Sequence, residues 1–193
     1  AELFTGNIIM IVGAITLLFP LRSILRNWVT VYLGNFAGAL LCVLLVWHAG
    51  LLMSGGELNA LGTLAANVTT AKLSLSFTEA FLRGVLCNML VILAIIMATL
   101  SKDIISKIAC CVFPIMAFVA CGFEHCVANM YLIPLGLCAQ NMPMLDYSFL
   151  VGNLLPVTLG NIVGGMFILI AHPNRLRQLG YLLERKRSVH TTP

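Results

Sequence analysis

An apolar run from residue 108 to residue 139 carries Glu124 and His125 side by side and no other ionisable side chain apart from cysteine and tyrosine. As one helix it would reach about 48 Å at 1.5 Å per residue, against a hydrocarbon core of about 30 Å, so it must tilt steeply or break. Gly122, just before the pair, is the natural break, with Pro114 and Pro134 as weaker kink signals on either side. An ionisable group at membrane depth is costly and faces a pathway or a buried partner rather than lipid. The tandem pair therefore marks the candidate functional site.

With 60% hydrophobic and 9% charged residues and a mean hydropathy of +1.01, the chain is no ordinary soluble domain, whose charged fraction is near a quarter. Four stretches are long enough to span a bilayer: residues 28–53, 77–100, 108–139 with its break, and 153–171. A shorter apolar piece, residues 3–19, would reach only about 25 Å and reads as part of a span. The cations are sorted by connection. Arg22 and Arg26 fall in the first and Lys102 and Lys107 in the third, while Arg175, Arg177, Arg185, Lys186 and Arg187 fall in the tail; the connections at residues 54–71 and 140–152 carry none. The positive-inside rule puts the cation-bearing loops and the tail in the cytoplasm. The expected organisation is a transmembrane domain over residues 1–171 followed by a basic cytoplasmic tail, residues 172–193, that anchors topology rather than binding nucleic acid. The seven cysteines form no CxxC pair and read as small hydrophobes within or beside helices.

Two short patterns recur in the same order. Glu2-Leu3-Phe4-Thr5-Gly6-Asn7 and Glu124-His125-Cys126-Val127-Ala128-Asn129 share Glu and Asn five apart, and Leu33-Gly34-Asn35 with Gly38 matches Leu159-Gly160-Asn161 with Gly164. The loop charges make the two Gly-Asn helices antiparallel, so the repeat is inverted, an architecture that places a site at the midplane. By the same logic on the order of fifty residues are expected upstream of Glu2, and the chain reads as amino-terminally truncated. Each Gly-x-x-x-Gly pair is expected to pack helices closely, with Asn35 and Asn161 hydrogen-bonding across helices to brace the two broken segments.

If both motifs are breaks, half-helices start near Thr5 and His125 and aim positive dipole ends at the midplane, which suits an anion. His125 is the only histidine at that depth, and Thr5 is placed to hydrogen-bond it. Carrying a bare carboxylate into a low dielectric costs up to about 20 kcal/mol in the Born limit and several after relaxation. Protonating a weak acid of pKa near 4 at pH 7 costs about 4 kcal/mol. Crossing as the neutral acid is therefore competitive if a proton donor waits, and imidazole has the nearest unperturbed pKa.

Ala1-Glu2-Leu3-Phe4-Thr5-Gly6-Asn7, Arg83-Gly84-Val85-Leu86-Cys87-Asn88, the segment from Gly122 to Met130 and the segment from Asn153 to Gly165 together resemble the signature segments of the formate/nitrite transporter family. The resemblance covers nearly the whole chain. It implies an all-α, aquaporin-like inverted repeat of six transmembrane helices with helices 2 and 5 broken, here without helix 1 and part of helix 2. It further implies a homopentamer in a bacterial inner membrane, a pore in each protomer, and a small anion substrate: formate, nitrite or hydrosulfide. From the family, Leu3 and Phe4 would form the cytoplasmic-side constriction and Phe118 contribute to the outer one. His125 would be the central proton donor or gate with Thr5 as partner. Lys72, at the outer start of its helix, would attract the anion, and Glu124, Asn88, Asn129 and Asn161 would form the supporting polar network. Arg83 has no assigned role; Glu79, four residues earlier, could pair with it across one turn. No nucleophile, paired carboxylate or metal-ligand set accompanies Glu124 and His125, so neither an enzyme nor a cofactor is expected. The competing reading is a structural membrane subunit, or a non-conducting fragment, whose Glu-His pair only braces helix packing.

Overall fold

The structure, a computed structural model, describes residues 20–171. Pro20, which lacks a donor and has an extended backbone, precedes the 28-residue helix α1, Leu21–His48. A small hairpin follows, β1 (Met53–Ser54) paired with β2 (Glu57–Leu58). Its two-residue turn is Gly55-Gly56, with φ of +62° and +88°, the left-handed backbone that a tight hairpin turn requires and that glycine adopts without strain. Helix α2, Ala60–Leu73, starts where the Asn59 side chain accepts from the Gly62 amide. Helix α3, Phe77–Leu100, opens with a reciprocal capping box between Ser76 and Glu79, which satisfies two orphan donors at once. Asp103 caps α4, Ile104–Ala120, by accepting from the Ser106 amide.

The long apolar run breaks at Gly122. Helix α4 stops at Ala120, Gly122 takes φ +65°, and α5 resumes over Cys126–Ala139 with His125 as its N-cap. Pro114 and Pro134 lie inside α4 and α5 without ending either helix. The chain then passes through a π-helical segment, Ser148–Leu154, into α6, Leu155–Ala171. Pro156 has no N–H to give to the carbonyl of Gly152, so a regular α-helical ladder cannot run through this junction. Among the described residues, three helical stretches are long and apolar enough to cross a membrane: α1, α3 and Ser148–Ile168. The two half-helices α4 and α5 are shorter.

The connections of the sequence reading need correction: Arg22 and Arg26 lie in the first turns of α1 and Lys107 in α4. Residues 54–71, expected as a plain connection, hold the hairpin and α2. Helix α2 has 14 residues and mixes three leucines and a valine with alanine, threonine, asparagine, glycine and a lysine, too short and too polar to register as a span, and it is held by tertiary contacts. Gly136 of α5 lies against Thr69 and the Ala65 carbonyl, where any side chain would collide. The Thr69 hydroxyl reaches the carbonyls of Leu132 at 3.1 Å and Ile133 at 3.3 Å. Gln140 donates to the Ala66 carbonyl at 2.9 Å.

Close packing of α3 on α6 supplies the other rigid wall. Cβ atoms on Gly160 and Gly164 would run into the backbone carbonyls of Phe81 and Val85, so this pair serves the close approach expected of small residues in lipid. Gly34 and Gly38 differ: among the described residues nothing lies within 4 Å of a Cβ built on either. A buried core of Ala80, Ile92, Cys126, Met130, Ile133, Leu137, Phe149, Leu154 and Val157 joins α3, α5 and α6. The break between α4 and α5 is thereby fixed between α2 on one side and the α3–α6 pair on the other.

Candidate functional site

Two polar assemblies meet at the break. In the first, Lys72 Nζ donates to Glu124 Oε1 at 2.8 Å, and Asn129 Nδ2 donates to Glu124 Oε2. Asn129 Nδ2 also donates to Asn153 Oδ1 at 2.8 Å, and Asn153 Nδ2 returns to the Lys72 carbonyl at 3.0 Å. This closed ring ties the end of α2, the break, the first turn of α5 and the π-helical segment together. Glu124 is 2% exposed, so its charge is tolerable only because both oxygens have donors and a cation is in contact.

The second assembly centres on Asn161. Its Oδ1 accepts from the Cys126 amide at 2.8 Å, and its Nδ2 donates to the carbonyls of Glu124 and Gly84, both at 2.9 Å. Its own carbonyl accepts from Asn88 Nδ2 at 2.7 Å. Asn161 therefore fixes the backbone immediately before and after His125, as expected of a brace. Asn35, its counterpart in the repeat, has a buried Nδ2 with no partner among the described residues.

Among the described residues His125 makes no hydrogen bond through its imidazole. It caps α5 without a side-chain capping bond, and its ring lies stacked on Phe118 of α4, centroids 6.2 Å apart. Both rings line a cavity of about 390 Å³ whose wall also includes Lys72, Arg83, Gly122, Glu124, Asn129 and Leu132. Because α5 begins here, its positive dipole end lies at the cavity, a setting that favours negative charge.

Of the residues singled out in the sequence, the structure gathers His125, Phe118, Lys72, Glu124, Asn88, Asn129 and Asn161 around the break. Leu3, Phe4 and Thr5 lie outside the described residues, as do the Glu2 motif and the basic tail. Lys72 is not at the start of a helix but in the last turn of α2, where its ammonium is drawn inward by Glu124. Glu79 does not pair with Arg83: its carboxylate accepts from Ser76 N at 2.8 Å and from Ser76 Oγ at 2.7 Å. Arg83 instead reaches across to Gly122. Asn153 was not singled out; the available signal was another asparagine at the edge of an apolar stretch, which must find a partner when buried.

The formate/nitrite transporter family model matches residues 1–173. The chain belongs to that family. It is 39% identical over 182 residues to the formate channel FocA of Haemophilus influenzae, covering 86% of this chain and 63% of that protein. It is 42% identical over 179 residues to a probable formate transporter of Methanothermobacter thermautotrophicus, covering 86% and 64%. The chain thus spans under two thirds of the length of these curated relatives. Among solved structures it is similar to a pentameric formate channel with formate bound, at 32% identity and a TM-score of 0.70 over 83% of this chain and 68% of that one. It is also similar to an ion channel of the formate/nitrite transporter family, at 30% identity and a TM-score of 0.76 over 90% and 70%.

Proposed function

We propose that this protein forms a membrane channel for small monovalent anions, formate foremost, with one pore in each protomer of a homopentamer. Formate is favoured because the relatives above are named for formate and one solved relative is a pentamer holding it. Nitrite and hydrosulfide, of similar size and charge, are proposed as further substrates. The observation that carries the mechanism is the imidazole of His125 on the cavity wall, without a hydrogen bond among the described residues, flanked by Phe118 and held at its backbone by Asn161.

In this reading an anion enters the cavity and meets His125, which donates a hydrogen bond or a proton while Phe118 keeps bulk water out. Transfer as the neutral acid avoids the several kcal/mol of carrying bare charge through the apolar centre. Leu3 and Phe4 are proposed as the cytoplasmic-side constriction and Thr5 as the hydrogen-bonding partner of His125. Glu124 is a fixed strut, because Lys72 and Asn129 occupy its two oxygens. The carboxy-terminal tail is proposed to be cytoplasmic, by its five cations, and the membrane to be a bacterial inner membrane. The test is uptake of labelled formate by proteoliposomes carrying the full-length protein, with nitrite and hydrosulfide as competitors. Saturable uptake is expected; none from intact pentamers would overturn the proposal.

A further inference from the structure

The cation that receives the anion should be the one whose charge is not already spent, and that is not Lys72. Its ammonium is in contact with the Glu124 carboxylate at 2.8 Å, and its side chain is only 15% exposed. Seen from the cavity, the pair is a dipole rather than a net charge. Arg83 lines the same cavity and, among the described residues, has no carboxylate in contact; Glu79, one turn earlier, acts on it only through space. The one acid within reach on its own helix, Glu79, is engaged by Ser76, and no carboxylate lies within ion-pairing distance of Arg83 among the described residues. One guanidinium N–H, on Nη1, donates to the Gly122 carbonyl at 3.4 Å. A guanidinium carries five N–H donors, and among the described residues the other four have no protein partner.

We infer that Arg83 is the anion-receiving residue of the cavity, a guanidinium held over Gly122 with its remaining donors open to a carboxylate. The inference rests on the anion-channel reading above and names the side chain that recruits the substrate. The chemistry fits: a planar fork of N–H groups matches the two oxygens of a carboxylate, and unlike an ammonium it donates to both in parallel bonds. The geometry fits as well. The bond to the Gly122 carbonyl, in the break after α4, ties one nitrogen of the guanidinium to the break, and Arg83 lines the cavity that His125 and Phe118 also line. A side chain on Gly122 would point at Arg83 Nη1, 3.7 Å from the Cβ position, and the positive φ there excludes most residues in any case.

A strut between α3 and the break would also explain the Gly122 bond, and two substitutions separate the two roles. Initial rates of labelled formate uptake are compared for the full-length wild type, Arg83→Gln and Arg83→Lys, at ionic strengths of about 0.01 M and about 1 M, where the Debye length falls from about 30 Å to about 3 Å. Arg83→Gln is expected to raise the half-saturating formate concentration about tenfold at low ionic strength, in the range of electrostatic focusing by a lined cleft. At high ionic strength wild type and variant should converge, with maximal rates within about twofold throughout. Arg83→Lys should keep the salt dependence while losing part of the affinity. The inference is overturned if half-saturation and its salt dependence are unchanged in Arg83→Gln. It is equally overturned if both variants lower the maximal rate alike at unchanged half-saturation, the signature of a strut. Wild type without uptake sinks the channel reading itself, and the Arg83 assignment with it; wild-type uptake beside an unaltered Arg83→Gln sinks only the assignment.

Discussion

Asn161 grips the chain on both sides of His125, accepting from the amide that follows it at 2.8 Å and donating to the carbonyl that precedes it at 2.9 Å. The histidine is thus positioned through its backbone, while its imidazole makes no hydrogen bond among the described residues. Such an arrangement suits a group that must change its hydrogen bonds with each passing ion, because the scaffold does not depend on them.

Replacing Asn161 with alanine should orphan the Cys126 amide and the Glu124 carbonyl in a buried site and take the second donor from the Gly84 carbonyl. Each unsatisfied buried group costs about 1–3 kcal/mol. Loss of about 2–4 kcal/mol is expected in equilibrium unfolding in detergent, together with loss of flux. An unchanged unfolding midpoint would show that the break is held elsewhere.

The Lys72–Glu124 pair predicts a non-additive cycle. Lys72→Met or Glu124→Gln alone leaves the other group buried without its counter-charge, which costs about 3–5 kcal/mol in fully buried pairs. The double substitution should cost clearly less than the two singles together, with a coupling of about 1 kcal/mol or more. Additive stabilities would mean that the two charges do not depend on each other.

Glycine positions divide by their surroundings. Gly164→Ala forces a methyl group into the Val85 backbone and should cost about 1–3 kcal/mol, as overpacking does. Gly152→Ala, where nothing lies within 4 Å, should be neutral or slightly stabilising. Equal losses at both positions would contradict the packing of α3 on α6.

Asp103, the exposed cap of α4, has its carboxyl held below the usual carboxylate range by hydrogen bonds from the Ser106 amide and then the Ser106 hydroxyl. A depressed folded-state pKa means that the cap's contribution is present above the unfolded value of about 3.9 and is lost as pH falls through the lower folded value. Amide exchange at Ser106 should therefore stay protected at neutral pH and lose protection only in that acidic window. In Asp103→Ala the pH dependence should vanish. Protection that fell instead near pH 6 would assign it to another group.

The break was legible because two independent signals coincide in it: a run too long for one crossing, and a glycine beside an adjacent acid and histidine. Helix α3 was legible from its apolar length. Helix α2 was not, since it is short and its apolar residues are interrupted by Thr63, Asn67, Thr69, Thr70 and Lys72, while its contacts with Gly136 and Ile133 lie sixty-odd residues away. The position of Lys72 was misplaced, at the start rather than the last turn of its helix: a lysine near a helix end ordinarily snorkels to water, and only the fold brings Glu124 beside it. Asn153 and Arg83 act through partners far along the chain, which one sequence does not display. Gly34 and Gly38 repeat the pattern of Gly160 and Gly164 but lack its contacts among the described residues, so a spacing motif alone did not reveal which helix faces a neighbour.

The most direct test of His125 is the pH profile of formate flux through proteoliposomes carrying the full-length protein, wild type against His125→Asn, across about pH 5 to 8, where an unperturbed imidazole changes charge. Wild-type flux should vary with pH and the variant's should be flat at equal pentamer content. An identical profile in the two proteins would contradict a central role for His125.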